Sequence, residues 1–215
     1  MSYTPLDRRL DGGPEARAAK GATSAASHPS YQSTEQIAWS RALANGDERA
    51  FELLVERESP RVFRTCYRVL GRIDEAEDAT QEAFVLAYRA LGTFRGDGHP
   101  AAWLMRIATR EAWRRAAQRR RQRAGIAALD EASLATMGTG VDPVAEAIRT
   151  EERERVRQAV GCLPEPYREV ISLRFFGELS LLEVCAATGR PEGTVKAQVH
   201  RGLQRLQAQL TGAGR

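Results

Sequence analysis

Three groups of side chains could do chemistry. Asp74, Glu75, Glu77, Asp78 and Glu82 crowd one short stretch, a density of carboxylates that general acid–base work or metal binding would draw on. No His, Ser or metal-ligand set accompanies them, so a catalytic or hydrolytic role is a distant reading, separable by metal dependence. The second group is basic: Arg106, Arg110, Arg114, Arg115, Arg119, Arg120, Arg121 and Arg123 stand against the single Glu111, with Trp103 and Trp113 among them. Guanidinium groups hold phosphates and an indole stacks on an unpaired base, so this mixture suits a nucleic acid strand. Trp103 is the better candidate for core and Trp113 for exposure. The third group is Cys66, Cys162 and Cys185, far apart, with no CxxC and no His at ligand spacing. They read as reduced core residues of a cytosolic protein without a zinc site.

The elements that must position these groups are helical throughout. At ~100° per residue, Val195, Val199, Leu203, Leu206 and Leu210 fall on one stripe of a helix from Gly193 to Leu210, and Thr194, Ala197, Arg201, Gln204 and Arg205 cluster opposite. The preceding segment, Ser180 to Thr188, is a short apolar helix with a Ser N-cap, and Gly189-Arg190-Pro191 breaks it sharply. That is the layout of a helix-turn-helix, whose second helix enters the major groove. Upstream, a helix is expected over Thr34 to Ala44, followed by one capped by Asp47 that carries Phe51, Leu54 and Val55. Pro60 opens the next, which buries Phe63, Cys66, Tyr67 and Leu70 and ends at Gly71.

The carboxylates lie on a helix from Asp74 to Leu91, with Asp74 and Glu77 as its capping box. Its apolar face is mostly small: Ala76, Ala79, Ala83, Ala87 and Ala90, with Phe84 and Leu91. Opposite lie Glu75, Asp78, Gln81, Glu82 and Arg89 around Val85, an apolar centre in a polar rim, as protein contact surfaces are built. After a loop over Gly92 to His99, Pro100 opens the basic helix, which runs to about Arg123 with Leu104, Ile107 and Ala108 facing the core. Pro143 to Val160 is again helical, and Pro164 and Pro166 frame a helix burying Tyr167, Val170, Ile171 and Phe175. With no strand pattern, the fold class is all-α.

Residues 1–33, rich in Gly, Ala, Ser and Pro, are expected to form a disordered tail. The segment 124–145 reads as a linker between two helical domains, 34–123 and 146–211, since connections of that length are uncommon inside a compact domain. The net charge of +4 is modest, but Lys20 and Lys196 are the only lysines, so the basic face is almost wholly Arg. There is no apolar run approaching ~18 residues, so no membrane insertion is expected. The chain closes at Arg215, and no appended sensory domain is expected.

Together these features resemble the bacterial sigma-70 family, in the compact extracytoplasmic-function (ECF) group that keeps regions 2 and 4. The resemblance rests on Asp74-Glu75-Ala76-Glu77-Asp78-Ala79-Thr80-Gln81-Glu82-Ala83-Phe84, on Phe94-Arg95-Gly96 and on Ala102-Trp103-Leu104-Met105-Arg106-Ile107-Ala108. In the second domain it rests on Leu163-Pro164, Tyr167-Arg168-Glu169-Val170, and Gly193-Thr194-Val195-Lys196 with His200-Arg201. It implies a non-enzymatic initiation factor without cofactors, whose partners are core RNA polymerase (β′ clamp helices and β flap), promoter DNA and an anti-sigma factor. Polymerase binding would fall to Asp78, Gln81, Glu82 and Val85, and the melted minus-10 strand to Phe94, Arg106, Arg110, Trp113 and Arg114. The minus-35 duplex would fall to Thr194, Lys196, Ala197, Gln198, His200, Arg201 and Arg205. The chain departs from the family pattern at Thr109-Arg110, where Arg-Asn is common, at Ala197-Gln198, where Ser-Arg is common, and at Cys185; the first two bear on promoter sequence. The rival is a free-standing helix-turn-helix regulator, which would have no use for the Val85-centred acidic face or the Trp-bearing basic helix.

Overall fold

Buried alanines set the spacing of the first helices. The computed structural model describes residues 34–94, 99–126 and 143–212. Helices α1 (Thr34–Ala44), α2 (Glu48–Leu70), α3 (Ile73–Arg89) and α4 (Pro100–Ile126) come first, with a 3₁₀ turn at Leu91–Thr93. Ala76, Ala79, Ala83 and Ala87 of α3 are all fully buried, which lets its axis approach α2 and α4 closely. Into that space α2 sends Leu54, Val62, Cys66, Val69 and Leu70, and α4 sends Ala102, Leu104, Met105 and Ala108. The indole of Trp39 on α1 donates to the Ala50 carbonyl at 3.0 Å, tying α1 to α2.

Local signals account for several helix ends. The Asp47 carboxylate accepts from the Ala50 amide at 2.8 Å, and Gly71 ends α2 at φ +74°, a left-handed conformation that Gly adopts without a Cβ penalty. Two expectations are corrected. Pro60 does not open a helix: α2 runs through it, because the ring and the neighbouring Glu56 are exposed, so water can serve the carbonyl that loses its bond. Asp74 is not an N-cap: α3 starts at Ile73, the N-cap is Arg72 without a side-chain bond, and the Asp74 carboxylate is turned to the Arg72 guanidinium at 2.9 and 3.2 Å. Asp74 is the second residue of the helix, so its carboxylate meets Arg72 and the first-turn amides instead of capping the helix from outside.

The second half comprises α5 (Pro143–Gly161), α6 (Tyr167–Ile171), a π turn (Ser172–Phe176), α7 (Leu181–Thr188) and α8 (Glu192–Gly212). The π turn closes with the Gly177 amide donating to the Ser172 carbonyl at 2.9 Å. One extra residue in the turn shifts the phase of all that follows. Hence Leu173 is buried and Phe176 half-buried, while Phe175, expected in the core, is 48% exposed. In α7 the Ser180 hydroxyl accepts from the Glu183 amide, and the Glu183 carboxylate accepts from the Ser180 amide at 2.8 Å, a complete capping box. Ser180→Ala is expected to cost about 1 kcal/mol in denaturant unfolding.

The described helices form one body with a continuous apolar cluster, which includes residues of both halves. Of the linker expected over 124–145, residues 127–142 lie outside the described residues, as does the tail 1–33; 124–126 belong to α4, and α5 begins at Pro143. Among the described residues there is no strand, and no helix is long and apolar enough to cross a membrane. Cys66 is buried and its thiol is pushed up to about 11 by that burial. Cys185 is half-buried, but Cys162 is exposed just beyond α5, correcting its placement in the core.

Candidate nucleic-acid interface

The expected duplex-reading face lies open on α8. Val195 and Gly202 are buried and turn the helix onto α6, where a Cβ on Gly202 would lie 2.8 Å from Ile171 Cγ1. Only a glycine permits that approach, and it moves the packing stripe off Leu203, which is 41% exposed rather than core. Thr194, Lys196, Ala197, His200, Arg201 and Arg205 are exposed, and Gln198 is half-buried. Lys196 pairs with Glu192 one turn back at 2.6 Å. The Arg205 guanidinium sits 5.0 Å from the Tyr167 ring centre, so it covers the end of α6 while its face stays in water. Gly189, at φ +69°, makes the turn between α7 and α8.

The basic helix α4 departs from expectation. Arg110 is exposed and Arg114 is 59% exposed. Trp113 is buried, however, 7% exposed, its indole donating to Ser172 Oγ at 2.8 Å and its ring stacked on Phe176 at 6.1 Å. Trp103, expected in the core, is half-buried and packs on Phe94 at 5.3 Å. Phe94 is itself buried, so its ring wedges the start of α4 rather than reaching outward. Arg106 is paired with Glu169 at 2.8 Å and donates to the Ala187 carbonyl at 3.0 Å. Thr109 is 3% exposed, so the sequence departure at that position lies in the core and only Arg110 remains at the surface. Residues 95–98 of the loop before α4 lie outside the described residues.

Glu111 organises the rest of α4. Its side chain is 2% exposed and takes Arg114 and Arg115 at 2.7 Å each. Burial pushes its carboxyl up, but hydrogen bonds and charge from the two guanidiniums outweigh that and hold it below its ordinary value. A lone acid three and four residues before arginines in a basic helix is the signal that could have marked it.

On α3, Asp78 and Val85 are exposed, 70% and 42%, Gln81 is exposed and Glu82 half-buried. Asp78 lies 3.7 Å from Arg115. Val85 is not isolated: with Phe51, Phe84, Tyr88 and Arg89 it lines a shallow apolar groove between α2 and α3, where Phe51 and Tyr88 meet edge to face at 5.3 Å. The sequence pattern missed Phe51 and Tyr88 because the first was assigned to the core and the second falls off the α3 stripe.

Among the described residues the regular elements are all helical: an arginine-rich helix, one with an apolar-centred acidic face, and a C-terminal helix-turn-helix, a motif whose second helix enters the DNA major groove. Residues 54–122 match sigma-70 region 2 and residues 153–206 match sigma-70 region 4. The chain is 34% identical over 170 residues to the ECF RNA polymerase sigma factor SigW of Bacillus subtilis, covering 77% of this chain and 91% of that protein. It is 34% identical over 182 residues to the ECF RNA polymerase sigma-E factor of Escherichia coli, covering 82% and 94%. Among solved structures, CnrH in complex with the cytosolic domain of CnrY has the same fold, with a TM-score of 0.50 at 22% identity, covering 82% of this chain and 97% of that one. The chain therefore belongs to the ECF group of the sigma-70 family, the RNA polymerase sigma factors that direct transcription initiation.

Proposed function

We propose that this sigma factor divides its work among three faces. Residues 34–123 act as region 2 and residues 146–211 as region 4, joined by a linker at 124–145. The α3 face of Asp78, Gln81, Glu82 and Val85 docks on the β′ clamp helices of core polymerase, and region 4 also meets the β flap. The face of α8 reads the minus-35 duplex, and α4, with the loop before it, takes the melted minus-10 strand. The polymerase carries the chemistry. The observation that supports this most directly is the open polar face of α8, Thr194 to Arg205, backed by the buried Val195 and Gly202. The test is transcription in vitro: the purified chain added to core polymerase should start transcripts from its own promoter, and a chain that binds DNA alone and never directs polymerase would favour the free-standing regulator.

Within α8, Arg201 is the first choice for a base contact, since it lies opposite the packed side and presents a donor fork to a guanine edge. Lys196 grips phosphate. Arg201→Ala should therefore relax sequence preference, losing about 1–3 kcal/mol of discrimination. Lys196→Ala should weaken binding across all sequences and flatten its salt dependence. Duplex-binding titrations at several salt concentrations separate the two; if both substitutions changed only the salt slope, Arg201 would not be a reader.

On α4, Arg110 stands where relatives commonly carry Asn. Asn both donates and accepts, whereas Arg only donates, so Arg110 favours an acceptor-rich base such as guanine or grips the backbone. An anti-sigma factor that covers these faces and holds the chain inactive in the cytoplasm completes the proposal; it is supported by the family resemblance and tested by pull-down from resting and induced cells.

A further inference from the structure

A carboxylate buried in a helix is unfavourable unless cations surround it, and Glu111 is the one acid of the arginine-rich α4. Both of its oxygens are in use. Oε2 accepts from Arg114 Nε at 2.7 Å, and Oε1 accepts from Arg114 Nη2 and from Arg115 Nε, again at 2.7 Å each. From there the two arginines diverge. Arg115 turns toward α3, where its Nη2 donates to the Asp78 carbonyl at 3.3 Å and its Nη1 lies 3.7 Å from the Asp78 carboxylate, so all three of its nitrogens face protein. Arg114 turns outward and is 59% exposed.

A guanidinium carries five N–H donors on a rigid plane, and Glu111 takes those of Arg114 on the Nε and Nη2 side. The Nη1 and Nη2 edge is left over. Among the described residues nothing else bonds to Arg114, and that outer edge has the spacing that two oxygens of a phosphate need. Two bonds to a buried carboxylate fix the plane, so the rotamer freedom that a loose surface arginine gives up on binding is already gone here. The surroundings suit a backbone contact. Arg110, exposed one turn back, adds positive charge on one side, Glu82 of α3 limits it on the other, and Trp113 between them in sequence is buried and shows no ring to a base.

We infer that Glu111 is a positioning residue for strand binding, a role that rests on the assignment of α4 to the melted strand: it grips the inner edge of Arg114 so that the outer edge stands as a preset fork for one backbone phosphate. Arg114 accordingly reads no base. Sequence preference on this part of α4 is left to Arg110.

Charge alone predicts the opposite sign. Glu111→Gln removes a negative charge, which by long-range attraction would tighten binding of any nucleic acid, whereas loss of the preset fork weakens it. The test uses the full chain with a labelled single-stranded DNA of mixed sequence, and the matching duplex as a readout of α8. Expected for Glu111→Gln is about a fivefold loss of single-strand affinity with duplex binding kept. The dependence of log affinity on log salt should flatten by about 0.7, the share of one phosphate on a single strand. Arg114→Lys keeps the charge but has no fork to hold, and should lose about as much affinity. In an Arg114→Ala chain, Glu111→Gln should have little further effect, because its action passes through Arg114. A gain or no change from Glu111→Gln, an equal fall on the duplex, or the same loss in the Arg114→Ala background overturns the role. Should circular dichroism show that Glu111→Gln loses helix content, Arg114→Lys decides, and wild-type single-strand affinity in that variant overturns the role as well. In each of those cases a wild-type chain that binds the single strand leaves the proposed function standing, whereas a wild-type chain that binds none overturns the assignment of α4 along with the role of Glu111.

Discussion

Reversing Asp78 and Glu82 together to Arg lowers affinity for core RNA polymerase on the order of a hundredfold, because like charges set against a complementary surface repel where the native pair attracts. The fold should not notice. Asp78 is 70% exposed and its pairing with Arg115 spans 3.7 Å, a surface contact of the kind that contributes little. Val85→Asp should act in the same direction, since Val85 is 42% exposed at the mouth of the groove that Phe51, Phe84 and Tyr88 line. Co-elution and a binding titration with core polymerase give the affinity, and circular dichroism the helix content. Wild-type affinity after both reversals would remove α3 from the polymerase interface and with it the proposed division of faces.

For stability, the largest single effect is expected at Leu54. Its side chain is fully buried in the apolar cluster to which α2, α3 and α4 contribute, so Leu54→Ala should cost about 2–5 kcal/mol, the lost transfer energy plus that of the cavity left behind. Its neighbour Leu53 is 41% exposed, and Leu53→Ala should stay within about 1 kcal/mol of wild type. Urea unfolding of both variants distinguishes them. Equal losses would mean that α2 is not seated by Leu54, and the packing order described for α2, α3 and α4 would have to be redrawn.

The sequence by itself determined what depends on neighbours along the chain. The N-caps at Asp47 and Ser180, the left-handed stop at Gly71, the alanine face of α3 and the open face of α8 follow from spacings of a few residues, because helical geometry converts spacing directly into direction. Even these local signals misplace an end by a residue or two, as where α3 starts at Ile73 and leaves Asp74 inside its first turn. Periodicity also assumes an uninterrupted α-helix, and the π turn at Ser172–Phe176 breaks that assumption, exposing Phe175 and turning Phe176 inward. What only the tertiary structure decided is what meets across long stretches of chain. Arg106 finds Glu169 and Trp113 finds Ser172 across 63 and 59 residues, and no local pattern marks either pairing. Amphipathic spacing says that an arginine or an indole leaves the helix on a given side. Whether water, DNA or another helix waits there depends on packing that closes over the whole chain, and at Arg106 and Trp113 of α4 it is the second half of the chain.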